Sequence, residues 1–148
     1  MGTFAANLLG TEHFVGASTY RDGDGSNARI VLAIDVCGEA DIAIEMILDT
    51  GAPYNVLRRA LAQEVGWDTD AGWPTTLDTW IGRLDGSLVR GTMRWRADEG
   101  DGVEIEGTFF VPDVDYESLP NFLGYTGGLE RLRFAVDPSC NTICFGPV

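Results

Sequence analysis

Carboxylates are the most promising groups for chemistry in this sequence, and one of them has a distinctive setting. Asp49 follows the apolar run IEMIL and directly precedes Thr50 and Gly51. An aspartate in such a place is ordinarily a turn residue, because its side chain bonds to the backbone nearby. A carboxylate can also act as a general acid or base in hydrolysis. Such chemistry uses two acids in different protonation states, so the sequence raises the question of where a second acid lies.

Other catalytic constellations are poorly supported by the residues present. A serine or cysteine nucleophile needs a neighbouring base. The one histidine, His13, lies in an unpatterned N-terminal segment, far along the chain from the cysteines. Zinc chemistry lacks ligands for the same reason, and no glycine-rich phosphate loop opens a predicted helix. We therefore expect neither a metal nor a cofactor.

Composition and charge limit the fold class and the partners. The chain has 148 residues, of which 45% are hydrophobic, which suits one compact domain with a single core. Its 19 glycines, spaced between short β-branched runs, predict many turns and strands, and so an all-β fold. The formal charge of -13 argues against nucleic acid as a partner, since affinity for the phosphate backbone comes from Lys and Arg.

Cysteine usage and the N-terminus bear on cellular location. Cys37, Cys140 and Cys144 are odd in number and lack the spacing of a disulfide or zinc framework, which favours a reduced chain. The opening MGTFAANLLG has no basic start and too short an apolar run for a signal peptide. No stretch approaches the ~18 apolar residues of a membrane helix. We expect a cytoplasmic protein with no membrane partner.

The elements that would position Asp49 can be predicted from periodicity. Two β-rich runs, IVLAIDV from Ile30 and IAIEMIL from Ile42, flank a short turn that contains glycine. In the second run, alternation of Ile42, Ile44 and Met46 with the residues between them predicts one deeply buried face. The two runs therefore predict a hairpin whose second strand delivers Asp49.

After this hairpin the sequence predicts a short helix and further strands. Apolar residues at helical spacing before Gly66 predict a helix near Arg58 to Val65. Alternating apolar residues around later glycines predict a second hairpin, with its tip near Arg83 to Ser87. The run VEIEGTFFVPDV predicts a strand stopped by Pro112. A short helical turn in GGLERL then leads into two closing strands.

The first 29 residues are the least patterned part of the chain. We expect residues 1–29 to form an N-terminal segment and loop, part of it mobile, and residues 30–148 to form the domain. The stretch RDGDGSNAR predicts a turn-rich loop. Its Asp22, Asp24 and Asn27 faintly resemble a calcium loop, but the EF-hand spacing and closing glutamate are missing. An acidic barrel scaffold or cation-binding protein built around this loop is the minor alternative.

A resemblance to a known family is carried by three features in order. The stretch ILDTGAPYNVL, which contains Asp49, resembles the active-site motif of retropepsin-like aspartic proteases. The stretch NFLGYTGGLERL resembles the family's second signature, two apolar residues and a glycine before a short helix, at Phe122, Leu123 and Gly124. The glycine-containing hairpin lies between them, where the family has its substrate-covering flap. The flap residues so implied are Trp80, Ile81, Gly82, Arg83, Leu84, Asp85, Gly86 and Ser87.

The resemblance spans about Ile30 to Gly146 and departs from the family at Tyr125-Thr126, where a polar or charged pair, often beginning with Arg, is usual. Two interpretations of the central hairpin stay open. Trp80 either covers substrate or belongs to the core. The glycines of this hairpin form either a functional flap or an ordinary turn.

The resemblance implies a closed acid-protease barrel of the retropepsin type with one or two short helices. It implies Asp49 as the catalytic residue, with Thr50, Gly51 and Ala52 supporting its loop and Tyr54 lining the cleft. No second Asp-Thr-Gly or Asp-Ser-Gly occurs in the chain, so the second carboxylate would be Asp49 of another copy across a twofold axis. The expected function is an aspartic endopeptidase that acts on polypeptides as a homodimer. The alternative is a non-catalytic module of the same fold that dimerises or docks peptides.

Overall fold

The computed structural model describes residues 7–23 and 29–148, and most of its regular structure is β. The strands, in chain order, are β1 (Gly16–Thr19), β2 (Arg21–Asp22), β3 (Ile30–Cys37), β4 (Ile42–Leu48), β5 (Asn55–Val56), β6 (Trp73–Thr79), β7 (Gly82–Trp95), β8 (Glu99–Gly100), β9 (Val103–Pro112), β10 (Phe122–Leu123), β11 (Leu132–Asp137) and β12 (Thr142–Pro147). The predicted first hairpin is β3 and β4, and the strand predicted to stop at Pro112 is β9. Both predictions are confirmed.

Six strands close into a barrel in the order β3, β4, β10, β5, β9 and β7, with β7 pairing back to β3. Neighbouring strands are antiparallel, except that β10 runs parallel to β4 and β5 runs parallel to β9. Strands β2 and β6 extend this sheet beyond β3 and β7. The predicted all-β class and closed barrel are confirmed.

Buried apolar side chains on the strands stabilise the wall of the barrel. Met46 of β4 is fully buried and lies opposite Leu32 of β3. In β9, Phe109 and Phe110 point to opposite sides, and each is fully buried in a different core cluster. Burial of one such side chain contributes about 1.5 to 3 kcal/mol. The strand that carries Asp49 is therefore anchored by the core just before its end.

A second sheet of four strands has the order β11, β12, β1 and β8. It shares the main core through Ile143 and Phe145 of β12. Strand β1 comes from the N-terminal segment in which the sequence showed no pattern, because four residues are too few for an alternation to be recognised. Asp24 and Asn27 of the proposed calcium loop lie outside the described residues.

Helix α1 (Arg59–Val65) confirms the predicted helix, and Gly66 ends it with φ +90°. Its first turn is capped from far along the chain, since Asp115 Oδ1 accepts a hydrogen bond from the Ala60 amide at 3.0 Å. Asp115 also pairs with Arg58 at 2.8 Å. The Ala60 amide and then the Arg58 guanidinium hold the pKa of Asp115 below its usual value. In the described ranges no helix is both long and apolar enough to cross a membrane.

The predicted short turn in GGLERL is also present, as a 3-10 helix over Leu129–Arg131. A second 3-10 helix, Thr69–Ala71, lies between α1 and β6.

The tip of the second hairpin differs from the prediction. Thr79 pairs with Gly82, so Trp80 and Ile81 form the tip, and Arg83 to Ser87 lie within β7. The predicted tip, near Arg83 to Ser87, included Gly86, but this glycine is a strand residue that packs closely against β9. A Cβ at Gly86 would lie 2.5 Å from the Val111 carbonyl oxygen and 2.7 Å from the Phe110 ring. Position 86 therefore requires glycine because of close packing. The turn itself requires glycine at position 82, where φ is +121°.

Candidate active site

Asp49 lies directly after β4, at the place where β10 runs parallel to that strand. Phe122 and Leu123 of β10 lie opposite Ile47 and Leu48. The amide of Asp49 donates to the Leu123 carbonyl oxygen at 3.0 Å. Parallel neighbours bring these two segments together although more than seventy residues separate them in the sequence. The structure thus brings the two predicted signatures into contact.

The loop after Asp49 is a tight turn closed by its own backbone. The Gly51 amide donates to Asp49 Oδ1 at 2.9 Å, and the Ala52 amide donates to the Asp49 carbonyl oxygen at 3.1 Å. A Cβ on Gly51 would lie 3.2 Å from Asp49 Oδ1, which is closer than ordinary van der Waals contact. Asp49 itself is half-buried, and Thr50 is exposed. The carboxylate is therefore oriented by the chain and still open to a ligand.

Gly124 allows the second signature to cross this loop at close range. A Cβ at Gly124 would lie 2.0 Å from the Tyr54 carbonyl oxygen, so no other residue fits without movement of the backbone. Beyond it, the amides of Tyr125 and Thr126 donate to the carbonyl oxygens of Ala52 and Pro53, each at 2.9 Å. These contacts use the backbone of Tyr125-Thr126. The departure from the family pattern at this pair therefore leaves the crossing intact.

Asn55 is a residue of this site that the sequence pattern did not single out. It is fully buried in β5. Its Nδ2 donates to the carbonyl oxygens of Thr108 and Gly127, both at 3.0 Å, and its Oδ1 accepts from the Gly124 amide at 3.0 Å. One side chain thus ties β9 to the second signature. The available signal was a polar residue directly before the apolar pair Val56-Leu57.

A cavity of about 300 Å³ opens beside Asp49, between the loop and the hairpin tip. Its walls are mostly apolar. The side chains and loop atoms around it belong to Arg29, Asp49, Gly51, Ala52, Pro53, Val56, Leu77, Asp78, Thr79, Trp80, Leu119 and Phe122. Tyr54, predicted to line the cleft, packs instead against the smaller core cluster under the hairpin.

Of the eight predicted flap residues, Trp80 is the one that reaches this cavity. Trp80 is 70% exposed, so it does not belong to the core. Leu84 and Gly86 are buried within β7. The residues before the tip, Leu77 to Thr79, also border the cavity. They were not among the predicted flap residues, because the predicted tip lay several residues later in the chain than the observed one.

A second carboxylate, Asp78, borders the same cavity from the hairpin. Its side chain is 86% exposed and lies 3.6 Å from Arg83 on the neighbouring strand. Among the residues that the structure describes, no backbone amide donates a hydrogen bond to its side chain. The environments of Asp49 and Asp78 are therefore different, and Asp78 serves as a natural comparison for Asp49.

The histidine and a buried cysteine lie away from this cavity. His13 lies beside Arg133 of β11, next to the second sheet. Cys144 is buried in β12, where burial raises the pKa of its thiol.

The fold is shared with a solved aspartic protease. The structure is similar to that of a retropepsin-like aspartic protease from Rickettsia conorii, with a TM-score of 0.54 over 88% of this chain and 90% of that one. The sequences are 18% identical over this match, so the likeness concerns the fold. No protein-family model matches the sequence, and no curated protein does.

Proposed function

We propose that this protein is an aspartic endopeptidase in which a water molecule is activated between the Asp49 carboxylates of two copies. The observation that carries the proposal is the setting of Asp49. Its amide is tied to Leu123, its Oδ1 is held by the Gly51 amide, and its carboxylate borders an open, mostly apolar cavity. The shared fold supports the same assignment.

The chemistry follows from two carboxylates held close together. Like charges a few ångström apart cannot both ionise cheaply, so the pair holds one proton. The ionised Asp49 takes a proton from the water, whose oxygen attacks the scissile carbonyl carbon. The protonated Asp49 donates its proton to the carbonyl oxygen. When the tetrahedral intermediate collapses, the C–N bond breaks, one Asp49 gives its proton to the leaving amine, and the other takes a proton from a hydroxyl of the intermediate, which leaves a carboxylic acid and a dyad that again holds one proton.

The residues around Asp49 have supporting roles in this proposal. Gly51 keeps Oδ1 oriented, and Ala52 leaves room beside the dyad because its side chain is small. Thr50, which is exposed at the turn, braces the loop of the second copy with its hydroxyl. Trp80 covers the bound polypeptide from the hairpin tip. The apolar walls of the cavity favour an apolar side chain next to the scissile bond.

The test is cleavage of a peptide library between pH 4 and 7 by the wild type, Asp49→Asn and Asp78→Asn. The third protein is the matched control, since Asp78 borders the same cavity and undergoes the same change. We expect Asp49→Asn to lose activity by about a hundredfold or more and Asp78→Asn to keep it within a few fold. Equal activity of wild type and Asp49→Asn would remove Asp49 from the mechanism. Peptide binding without turnover in all three would instead support a docking module.

A further inference from the structure

The cavity beside Asp49 opens into two further cavities. The nearer one has a volume of about 440 Å³ and is lined by Arg29, Ile47, Trp80, Pro120 and Phe122. It shares Arg29, Trp80 and Phe122 with the Asp49 cavity, so the two are continuous. The farther one, of about 470 Å³, shares Arg29, Ile47 and Pro120 with the nearer one. We call the three cavities together the arginine groove, and Arg29 borders each of them.

Arginines are concentrated in the farther part of this groove. Arg21, Arg29 and Arg58 line the farther cavity, together with the two carboxylates of Glu45 and Glu117. The whole chain carries 10 basic residues and 23 acidic ones. Positive charge therefore exceeds negative charge in the lining of this cavity, on a protein in which the opposite holds overall.

Arg29 differs from the other two arginines in its partners. Arg21 pairs with Glu45 at 3.0 Å, and Arg58 pairs with Asp115 at 2.8 Å. In the part of the chain that the structure describes, no carboxylate pairs with Arg29, whose side chain is exposed. Its carbonyl oxygen accepts a hydrogen bond from the Gly23 amide at 2.9 Å. The backbone of Arg29 is thus held in place while its charge stays available to a ligand.

The strand register brings Arg29 to the same end of the barrel wall as Asp49. Val31 of β3 lies opposite Ile47 of β4. Arg29 is two residues before Val31, and Asp49 is two residues after Ile47. Because the two strands are antiparallel, both residues lie at the same end of the pair. This agrees with their shared place on the wall of the Asp49 cavity.

The nearer cavity has the chemistry to recognise a carboxylate on a short apolar stem. Apart from Arg29, the residues that line it are apolar. A guanidinium matches the geometry of a carboxylate with two parallel hydrogen bonds. Apolar surroundings strengthen such a pair, because they lower the local dielectric constant. The stem of a glutamate would lie against Ile47, Pro120 and Phe122 while its carboxylate meets Arg29.

We propose that the arginine groove binds an acidic side chain of the polypeptide substrate close to the scissile bond, and that Arg29 is the residue that determines this specificity. The inference rests on the proposed function, to which it adds a substrate class. A chain of charge -13 repels acidic polypeptides at long range. A preference for an acidic residue therefore needs a local cation, and Arg29 supplies one.

The test compares peptides that differ at one position. A peptide cleaved by the wild type is capped at both ends, and glutamate, glutamine or lysine is placed in turn at each position around the scissile bond. At pH 6, where glutamate is ionised, we expect kcat/KM of the wild type to be about fivefold higher for glutamate than for glutamine at one position. Arg29→Gln should bring this ratio to about one, and Arg29→Lys should keep part of it. Arg29→Glu should favour the lysine peptide.

Arg90→Gln is the control for the loss of one positive charge. Arg90 is an exposed arginine of β7 that pairs with Glu106 and lies outside the residues that line the arginine groove. This variant should keep the wild-type ratio of glutamate to glutamine. If it lost the preference as Arg29→Gln does, overall charge would explain the effect, and the assignment to Arg29 would be overturned.

A binding measurement separates this inference from the proposed function. The same peptides are titrated into Asp49→Asn, with and without Arg29→Gln, and calorimetry gives their dissociation constants. Binding that is tighter for glutamate and loses this preference with Arg29→Gln supports the arginine groove, even if the wild type cleaves no peptide and the enzymatic proposal fails. Cleavage by the wild type without a preference for glutamate, or with a preference that Arg29→Gln leaves unchanged, overturns the groove and keeps the proposed function. Tighter binding of the lysine peptide by the protein that retains Arg29 also overturns it.

Discussion

Replacement of Asn55 tests whether one buried amide holds the two signatures together. Asn55→Ala removes three hydrogen bonds, to Thr108, Gly127 and Gly124, and leaves their partners in the interior. Each lost bond with a buried partner costs on the order of 1 kcal/mol, so the free energy of unfolding should fall by about 3 kcal/mol. Urea denaturation at pH 7 measures this change.

Asn55→Asp gives a sharper test, because the loss in the free energy of unfolding should depend on pH. The carboxylate still accepts from Gly124, but its second oxygen faces two carbonyl oxygens in place of a donor. Burial and this repulsion favour the protonated form, so the folded-state pKa of the new aspartate lies above its unfolded value of about 3.9. Stability is then highest below pH 4 and falls by about 1.4 kcal/mol per pH unit as the pH rises towards the folded-state pKa.

The assay is urea denaturation of both variants and the wild type from pH 3 to pH 7. Asn121→Asp is the matched control, since Asn121 Oδ1 accepts from the Arg58 amide at 3.0 Å and a carboxylate can take over that role. It should change stability by less than about 1 kcal/mol, with no loss towards pH 7. If Asn55→Asp were as stable as the wild type at pH 7, or equally destabilised at every pH, the account of this network would be wrong.

Three further predictions follow from the same contacts. Asp115→Ala should lower the free energy of unfolding by about 1 kcal/mol at pH 7, because it removes the cap on α1. Since the folded-state pKa of Asp115 is depressed, the denaturation curves of the variant and the wild type should converge as the pH falls below about 4. Gly124→Ala should lower the free energy of unfolding by about 3 kcal/mol or more, because the new Cβ would clash with the Tyr54 carbonyl oxygen, and a normal melting temperature for this variant would contradict the close crossing. Gly51→Ala should melt within a few degrees of the wild type and lose peptide cleavage. Association should tighten with added salt or at pH 5, because two chains of charge -13 repel, and sedimentation showing a monomer from pH 4 to 8 at high salt would refute the homodimer.

Several features of the molecule were predictable because neighbouring residues decide them. The alternation of Ile42, Ile44 and Met46 predicts a strand with one buried face, and β4 is that strand. Helical spacing before Gly66 predicts α1, which ends at that glycine. The Asp-Thr-Gly tripeptide and the later apolar pair with glycine predict the two segments of the site. In each case the period of the side chains or the geometry of a short turn carries the information.

Other features were decided only when distant parts of the chain packed together. Gly86 looked like a turn residue, but Phe110 and Val111 of another strand require it to lack a side chain. The role of Asn55 depends on the amide of Gly124 and on two carbonyl oxygens, all of them far from Asn55 in the sequence. The cap on α1 comes from Asp115, which lies far from the helix in the sequence and could not be predicted from a local motif.

The sequence by itself determined the class of fold, the strand that leads into Asp49, and the presence of one Asp-Thr-Gly tripeptide in the chain. Tertiary structure decided which arginines line one groove, which glycines are required by close contact, and which buried amide ties the two signatures together. The physical reason is that strand and helix patterns depend on residues a few positions apart. Close approaches, buried hydrogen bonds and grooves depend on contacts between segments far apart in the chain, and these exist only once the barrel has closed.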